Sequence, residues 1–259
     1  IQDPDGMTST GTVNLTISGM LWFINNNAPA CVTQCGRLSS PFNSMVAFNT
    51  ANTGAGNNPA AGDSIFVYES GNPYSGPLTL LNNQRLVGQD ASQSLLSLTG
   101  LTAPSGSASL PAMNTGAPGV TITSGASGLV LGQNNHLYGF SMGNTSGAAI
   151  QGSNFGTLSV RDVSINTSGP ALSLNSGGFA AAPNNAFLSI TSSGGANNVS
   201  LTGVTGTGSL GSGALSGATS HALVVDGGNG SLTYSGTINN TSARPLLVQN
   251  KTGGSINLS

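Results

Sequence analysis

The sequence predicts an all-β fold in which short parallel strands stack into a solenoid, and three observations support this. Short runs with apolar residues at alternate positions recur along the 259 residues, each bounded by Gly, Pro or Asn. With 37% apolar and only 5% charged residues, the chain is too apolar for disorder and too poor in charge for an ordinary cytosolic globular domain. Asparagine pairs recur between the runs and suit tight corners. Because crossovers between parallel strands are right-handed, we predict a right-handed parallel β-helix.

Residues 1–18 are predicted to form a linker and an N-terminal strand. The first ten residues, IQDPDGMTST, have the composition of a linker. In the following GTVNLTIS, Val13, Leu15 and Ile17 alternate with polar residues, which is the pattern of a half-buried strand.

Residues 19–60 are predicted to form an N-terminal cap with a short helix. A Ser-Pro pair before FNSMVAFNTAN is a helix-start signal, and Phe42, Met45 and Phe48 follow at helical spacing. We expect this amphipathic helix to lie over the open end of the solenoid, with the aromatic pair of LWFI filling the end of the apolar column.

The chain has two cysteines, Cys31 and Cys35, in the segment ACVTQCG. Their spacing differs from that of a redox or zinc CxxC motif, and no histidine lies nearby in the sequence. Two alternatives stay open, a small loop-closing disulfide and a pair of free thiols. The disulfide would place the chain in an oxidising compartment.

The stretch 61–88 contains the runs SIFVYE, PLTLL and QRLVG, each followed by a turn cluster. It resembles the first coil of the right-handed parallel β-helices of the pectate-lyase-like superfamily, in which a GD-S/T-I-x-V strand precedes Y-x-G and L-x-G strands. Residues 21–89 as a whole are similar to the first coils of β-helices in large, repetitive bacterial surface proteins, such as adhesins and autotransporter passengers. The residues that carry the resemblance are Gly62, Asp63, Ser64, Ile65, Val67, Tyr74, Gly76, Leu86 and Gly88.

Residues 61–259 are predicted to form the coils of the β-helix. A Ser-, Pro-, Gly- and Ala-rich segment, 94–123, reads as a long excursion out of one coil. Beyond it, short strands return in quick succession. The segments 148–174 and 221–248 overlay with one or two single-residue slips, which is typical of a solenoid repeat.

No catalytic, metal-binding or cofactor-binding residue is predicted. The resemblance implies that an enzyme on this fold would use clustered carboxylates, and hydrolysis requires two carboxyl groups about 5 to 9.5 Å apart. No two of the acids beyond the linker are adjacent in sequence. With coils stacked about 4.8 Å apart, Asp162 and Asp226 are expected to lie roughly 14 Å apart. The acids considered are Asp63, Glu69, Asp90, Asp162 and Asp226.

The charged side chains are instead expected to make structural contacts. Asp63, in a Gly-Asp turn before a strand, is expected to accept backbone N–H bonds. Possible ion pairs are Arg85 with Asp90 and Arg161 with Asp162, and such pairs add little stability when exposed. The two histidines lie far apart in the sequence without a nucleophile motif, so no catalytic triad is predicted.

The predicted partners are neighbouring copies or modules, with glycans as the alternative. A net charge of −2 with no basic run excludes nucleic acid, and no apolar stretch approaches the roughly 20 residues that cross a bilayer. Any glycan would contact one β-face, with Tyr68, Tyr74 and Tyr138 as candidate stacking residues.

The resemblance and the composition together predict a structural, extracellular module of a bacterial surface protein or fibre without catalytic activity. The alternatives are an adhesin module that binds glycans or cell surfaces and, less favoured, a polysaccharide-active enzyme. Head-to-tail assembly into a filament is expected because the two ends are alike in sequence. The strands expected to assemble contain Val13, Leu15, Ile17, Ile256 and Leu258.

Overall fold

The protein is described by a computed structural model that covers residues 19–259. It contains 19 strands and two short helices and forms a parallel β-solenoid of about 8 turns. The all-β, parallel β-helix prediction is therefore confirmed. The elements are β1 (Leu21–Ile24), α1 (Met45–Ala51), β2 (Ser64–Val67), β3 (Tyr74–Ser75), β4 (Leu78–Thr79), β5 (Arg85–Gly88), α2 (Leu95–Thr99), β6 (Thr121–Ser124), β7 (Leu129–Leu131), β8 (His136–Thr145), β9 (Ile150–Thr167), β10 (Leu172–Phe179), β11 (Ser189–Ser192), β12 (Asn197–Thr205), β13 (Thr207–Ser209), β14 (Ala214–Ser216), β15 (His221–Asp226), β16 (Ser231–Tyr234), β17 (Thr237–Asn239), β18 (Arg244–Gln249) and β19 (Ile256–Leu258).

The strands stack in three columns, and every paired strand within a column is parallel to its neighbour. Column 1 consists of β1, β2, β5, parts of β8 and β9, then β13, β16 and β19. Column 2 consists of β3, β6, the later parts of β8 and β9, then β11, β14 and β17. Column 3 consists of β4, β7, the first part of β9, then β10, β12, β15 and β18.

The internal repeat corresponds to one full turn of the solenoid. Ile150 pairs with Leu172 in column 3, and Leu223 pairs with Leu246 in the same column. The predicted repeats 148–174 and 221–248 therefore each start and end in column 3. Several side-chain hydrogen bonds between adjacent coils join residues 22, 23 or 24 positions apart. The single-residue slips between the repeats lie within this range of coil lengths.

One apolar core runs along the inside of the coils from Trp22 to Tyr234, with Ile256 packed against it. The four residues predicted to point inward, Val160, Leu172, Leu223 and Leu232, are all buried. Because the side chains of a strand alternate between its two faces, each coil adds a few apolar residues to this core and exposes polar ones.

The predicted cap helix is present but begins later than the Ser-Pro signal indicated. Helix α1 has Ser44 as its N-cap, whose hydroxyl accepts a hydrogen bond from the Ala47 amide at 3.1 Å. Met45 and Phe48 are buried on its inner face, and Val46 is 60% exposed. Strand β1 lies within the segment 19–60 that was predicted as cap, yet it already pairs with β2 in column 1.

The excursion between β5 and β6 covers the outer face of column 1. Its helix α2 was not predicted, because the segment is rich in Ser, Pro and Gly; it is capped by Ser94 and ends at Gly100 in the left-handed region. A second apolar cluster lies beneath the excursion. It contains Phe23, Phe66, Val87, Ala91, Leu95 and Tyr138, with Leu110 and Met113 packed against it. Phe23 therefore belongs to this outer cluster, whereas Trp22 lies in the inner core.

Some of the asparagine pairs lie at corners, as predicted. Asn83 and Asn134 adopt positive φ angles of 61° and 56°, a region that asparagine tolerates. The neighbouring Asn135 is buried and donates to the Leu81 carbonyl at 2.7 Å. The pair Asn197–Asn198 differs, because it lies within β12. There the buried Asn198 side chain donates to Ser192 Oγ at 2.9 Å.

Candidate functional site

The three tyrosines predicted to stack on a glycan do not form an exposed surface. Tyr74 and Tyr138 are 1% and 5% exposed, so the proposed stacking role is wrong for both. Tyr74 faces the core and its hydroxyl donates to the Tyr68 carbonyl at 2.7 Å; burial raises its pKa to about 12. Tyr138 lies under the excursion. Only Tyr68 is partly exposed, and its ring packs edge-on against Phe66 at 5.0 Å between centroids.

Cys31 and Cys35 form a disulfide bond, with their Cα atoms 5.5 Å apart. It closes a tight loop on the cap, at whose tip Val32 is 92% exposed. The structure thus contains the disulfide rather than free thiols.

Of the predicted assembly residues, Val13, Leu15 and Ile17 lie outside the described part of the chain. Ile256 and Leu258 are in β19, which pairs with β16.

The carboxylates are dispersed over several faces. Asp162 lies in β9, immediately after the residues of that strand that belong to column 1. Asp226 lies at the end of β15 in column 3, where it accepts hydrogen bonds from the side chains of Gln249 and Asn250. Arg161 Nε approaches Asp162 Oδ2 at 4.0 Å, as predicted. The predicted ion pair of Arg85 with Asp90 is absent from the described residues, since Asp90 instead accepts from the Val120 amide at 2.8 Å.

The structure brings together two carboxylates that are far apart in the sequence. Asp90 and Asp162 line a groove of about 280 Å³ at the corner between columns 1 and 2, together with Ser92, Ser141 and Ser164. Asp162 Oδ2 accepts from both the amide and the hydroxyl of Ser92, at 2.9 and 2.7 Å. The groove forms because the excursion places Ser92 beside Asp162, which lies in a later coil. No sequence signal gave the path of the excursion.

The two carboxyl groups of this acidic groove differ in their surroundings. Burial raises the pKa of Asp90, and the negative charge of Glu69 adds to this effect. Its Oδ1 atom is buried and has no hydrogen-bond partner among the described residues. Asp162, by contrast, is held by Ser92 and lies beside Arg161. The two carboxyl groups of the groove therefore differ in burial and in hydrogen bonding.

The pKa of His136 is also strongly shifted. Burial, with a smaller effect of the Arg85 charge, lowers its pKa from 6.5 to about 4. Its Nδ1 atom lies 3.1 Å from the Tyr138 hydroxyl, on the outer side of column 1. His221 lies in a different column, where its Nδ1 atom is 2.9 Å from the Ser220 hydroxyl.

We expect the His136 shift to produce a pH dependence of stability. As the pH falls below 6.5, the unfolded state binds the proton first, because the folded-state pKa is only about 4. The free energy of unfolding should therefore decrease between pH 6.5 and about 4. Denaturant unfolding across this range should show a smaller decrease for His136→Gln than for the unchanged protein. Equal slopes for the two proteins would contradict the prediction.

The outer face of column 2 is uncharged and carries aligned hydroxyl groups. Thr121 pairs with Ser141, Ser141 with Ser164, and Ser164 with Ser189, so one row crosses four coils. All four residues are partly exposed. This face is therefore hydrated through small, neutral side chains.

Residues 19–259 contain neither a membrane-spanning helix nor a cluster of metal-binding side chains. Neither helix is long or apolar enough to span a bilayer. No three His, Cys, Asp or Glu side chains within this range come together as a possible metal site.

Fold and geometry thus define a parallel β-helix protein. Comparison with protein-family models, curated proteins and solved structures gives no match for this sequence.

Proposed function

We propose that the chain is a structural module of an extracellular bacterial surface protein or fibre, in which the β-helix serves as a stiff spacer. The observation that supports this most directly is the single apolar core that runs through all coils from Trp22 to Tyr234. A solenoid whose coils contact only their neighbours sets a length through the number of its coils. The disulfide of Cys31 and Cys35 fits an oxidising compartment.

The exterior is consistent with the same role. A surface with few charges and many small hydroxyl and amide groups can be exposed to water along its whole length without depending on a particular ionic partner. Assembly of modules head to tail stays a prediction. Glycan recognition also stays a prediction, but not through the buried Tyr74 and Tyr138.

A spacer should tolerate the loss of one complete coil. Thr207 pairs with Ser231 in column 1, so deleting residues 207–230 joins Gly206 to Ser231 and removes one turn. We expect the shortened protein to fold with the same strand-rich circular dichroism. Small-angle scattering should show it shorter by about 4.8 Å, the spacing of one strand. Failure of the shortened protein to fold would contradict a modular spacer.

The acidic groove provides the test of the enzymatic alternative. The unchanged protein, Asp90→Asn and Asp162→Asn would be incubated with neutral and acidic polysaccharides, and the release of reducing ends would be measured. The proposal predicts no release by any of the three proteins. Release by the unchanged protein that both substitutions abolish would replace the structural function with hydrolysis in the acidic groove.

A further inference from the structure

A large cavity lies on the N-terminal cap. This cap cleft has a volume of about 930 Å³ and lies between the disulfide loop, helix α1 and the loop at residues 57–58. The disulfide of Cys31 and Cys35 fixes one wall, and α1 is anchored to the core by Met45 and Phe48. The volume is in the range of small-molecule sites, which is about 300–1,000 Å³. The cleft is thus a site with rigid walls.

Among residues 19–259, Arg37 is the only charged residue that lines the cap cleft. Its guanidinium lies over the ring of Trp22, 4.6 Å from the ring centroid. Trp22 is itself fixed, since it is 2% exposed and its Nε1 donates to Asp63 Oδ2 at 2.8 Å. A cation stacked on an immobile aromatic ring loses little freedom when it binds a ligand.

Within residues 19–259, no carboxylate forms a salt bridge with Arg37. Arg37 also lines a neighbouring cavity of about 310 Å³, where Asp63 is the acidic residue; Asp63 does not line the cap cleft. Both Asp63 oxygens already accept bonds, from the Met20 and Ala60 amides and from Trp22. The planar donor edge of Arg37 is therefore available to an anion that enters the cap cleft.

The remaining polar lining of the cleft is neutral. It provides amide and hydroxyl groups that can donate and accept hydrogen bonds, from Thr33, Gln34, Asn43, Thr50, Asn57 and Asn58. Such a lining suits a ligand with one negative charge and several hydroxyl groups. Polyphosphates would need more than one cation, and an apolar ligand would leave the amides unpaired.

We propose that the cap cleft binds the carboxylate of an acidic sugar, with Arg37 as the bidentate partner and the surrounding amides as partners of the sugar hydroxyls. Arg suits this role better than Lys, because its five N–H donors form a planar fork that matches a carboxylate. This site is independent of the spacer function, since it lies on the cap and needs none of the later coils.

The test measures binding of defined oligosaccharides to the full chain by titration calorimetry at low salt. Sialyllactose and lactose form a matched pair that differs in one acidic sugar. A glucuronic acid disaccharide tests whether a second sugar with a carboxylate binds. A sulfated disaccharide tests whether a sulfate group can replace the carboxylate. We expect both carboxylate sugars to bind, the sulfated sugar to bind more weakly, and lactose to give no heat. Equal binding of lactose and sialyllactose would overturn the proposal.

Three substitutions assign the binding to Arg37. Arg37→Gln should weaken binding of the carboxylate sugars at least tenfold, and Arg37→Lys should weaken it less. Arg244→Gln, which removes an exposed arginine in column 3, should leave binding unchanged. Undiminished binding by Arg37→Gln would refute the assignment.

A second variant keeps the test valid if Arg37→Gln fails to fold. Asn57 lines the same cleft and is exposed. Asn57→Asp places a negative charge in the cleft and should weaken binding of acidic sugars, with Asn57→Gln as its neutral control. If Asn57→Asp binds the acidic sugars as well as Asn57→Gln does, the proposal is wrong.

Discussion

Replacing Asp63 with alanine is expected to destabilise the protein by about 3–5 kcal/mol, a loss that few single substitutions reach. Asp63 is 4% exposed, and its carboxylate accepts three hydrogen bonds. The donors are the Met20 amide at 2.9 Å, the Trp22 indole at 2.8 Å and the Ala60 amide at 2.8 Å. Alanine would leave these three donors without partners beside the first coil, and the bond of the Trp22 indole is buried.

The measurement is the free energy of unfolding in denaturant, followed by Trp22 fluorescence and by circular dichroism. Asp63→Asn is the closest control, because it keeps one acceptor oxygen and the shape of the side chain; we expect an intermediate loss. Asp226→Ala removes a carboxylate of the same kind whose two partners are exposed side chains, and it should have a far smaller effect. An equal loss for Asp63→Ala and Asp226→Ala would show that Asp63 does not organise the first coil.

The role of Asp63 was predictable from sequence because it depends on local spacing. A Gly-Asp pair immediately before an apolar strand places the carboxylate where backbone N–H groups of the turn converge. The Ala60 amide is such a local donor. The Met20 and Trp22 donors come from a strand more than forty positions earlier, with sequence separations of 43 and 41. These two hydrogen bonds depend on the pairing of β1 with β2, which was not predictable from the sequence.

The strands of the coils were predictable for the same local reason, whereas the faces they expose were not. Alternation marks which side chains share a face, but it does not show whether another segment covers that face. Tyr138 and Phe66 alternate out of the core and would be exposed on a bare coil, yet the excursion covers both. Tyr74 was expected outside and lies inside, because the two-residue strand β3 is too short to show alternation.

The acidic groove could not be predicted because it depends on a long-range path. Asp90 and Asp162 are in different coils, and the hydrogen bond of Ser92 to Asp162 spans 70 residues. A uniform coil length would have kept Asp90 and Asp162 well apart. The excursion breaks that uniformity, since Arg85 in β5 pairs with His136 in β8. The cap cleft was missed for a similar reason, as its walls come from the disulfide loop, α1 and a turn.

Truncating Leu172 to alanine is expected to destabilise the protein by about 2–5 kcal/mol. Leu172 is fully buried in column 3, between Ile150 of the coil before and Val199 of the coil after. Hydrogen bonds along the column hold the backbones of these coils at the strand spacing, so the neighbours cannot move in to fill the space. The deleted methyl groups should leave a cavity, whose loss of contacts adds to the lost burial.

The contrast between buried and exposed leucines makes this prediction decisive for the packing of the solenoid. Leu96→Ala deletes the same atoms from a side chain that is 52% exposed on α2, and it should change the free energy of unfolding only slightly. Arg161→Ala, which removes a partly exposed ion pair with Asp162, should cost well under half of the Leu172 effect. Denaturant unfolding of the three variants under one set of conditions compares them directly. Because each coil packs only on its neighbours, the Leu172→Ala protein should also lose hydrogen-exchange protection first in β9, β10 and β12. A uniform loss of protection along all coils would argue against nearest-neighbour packing.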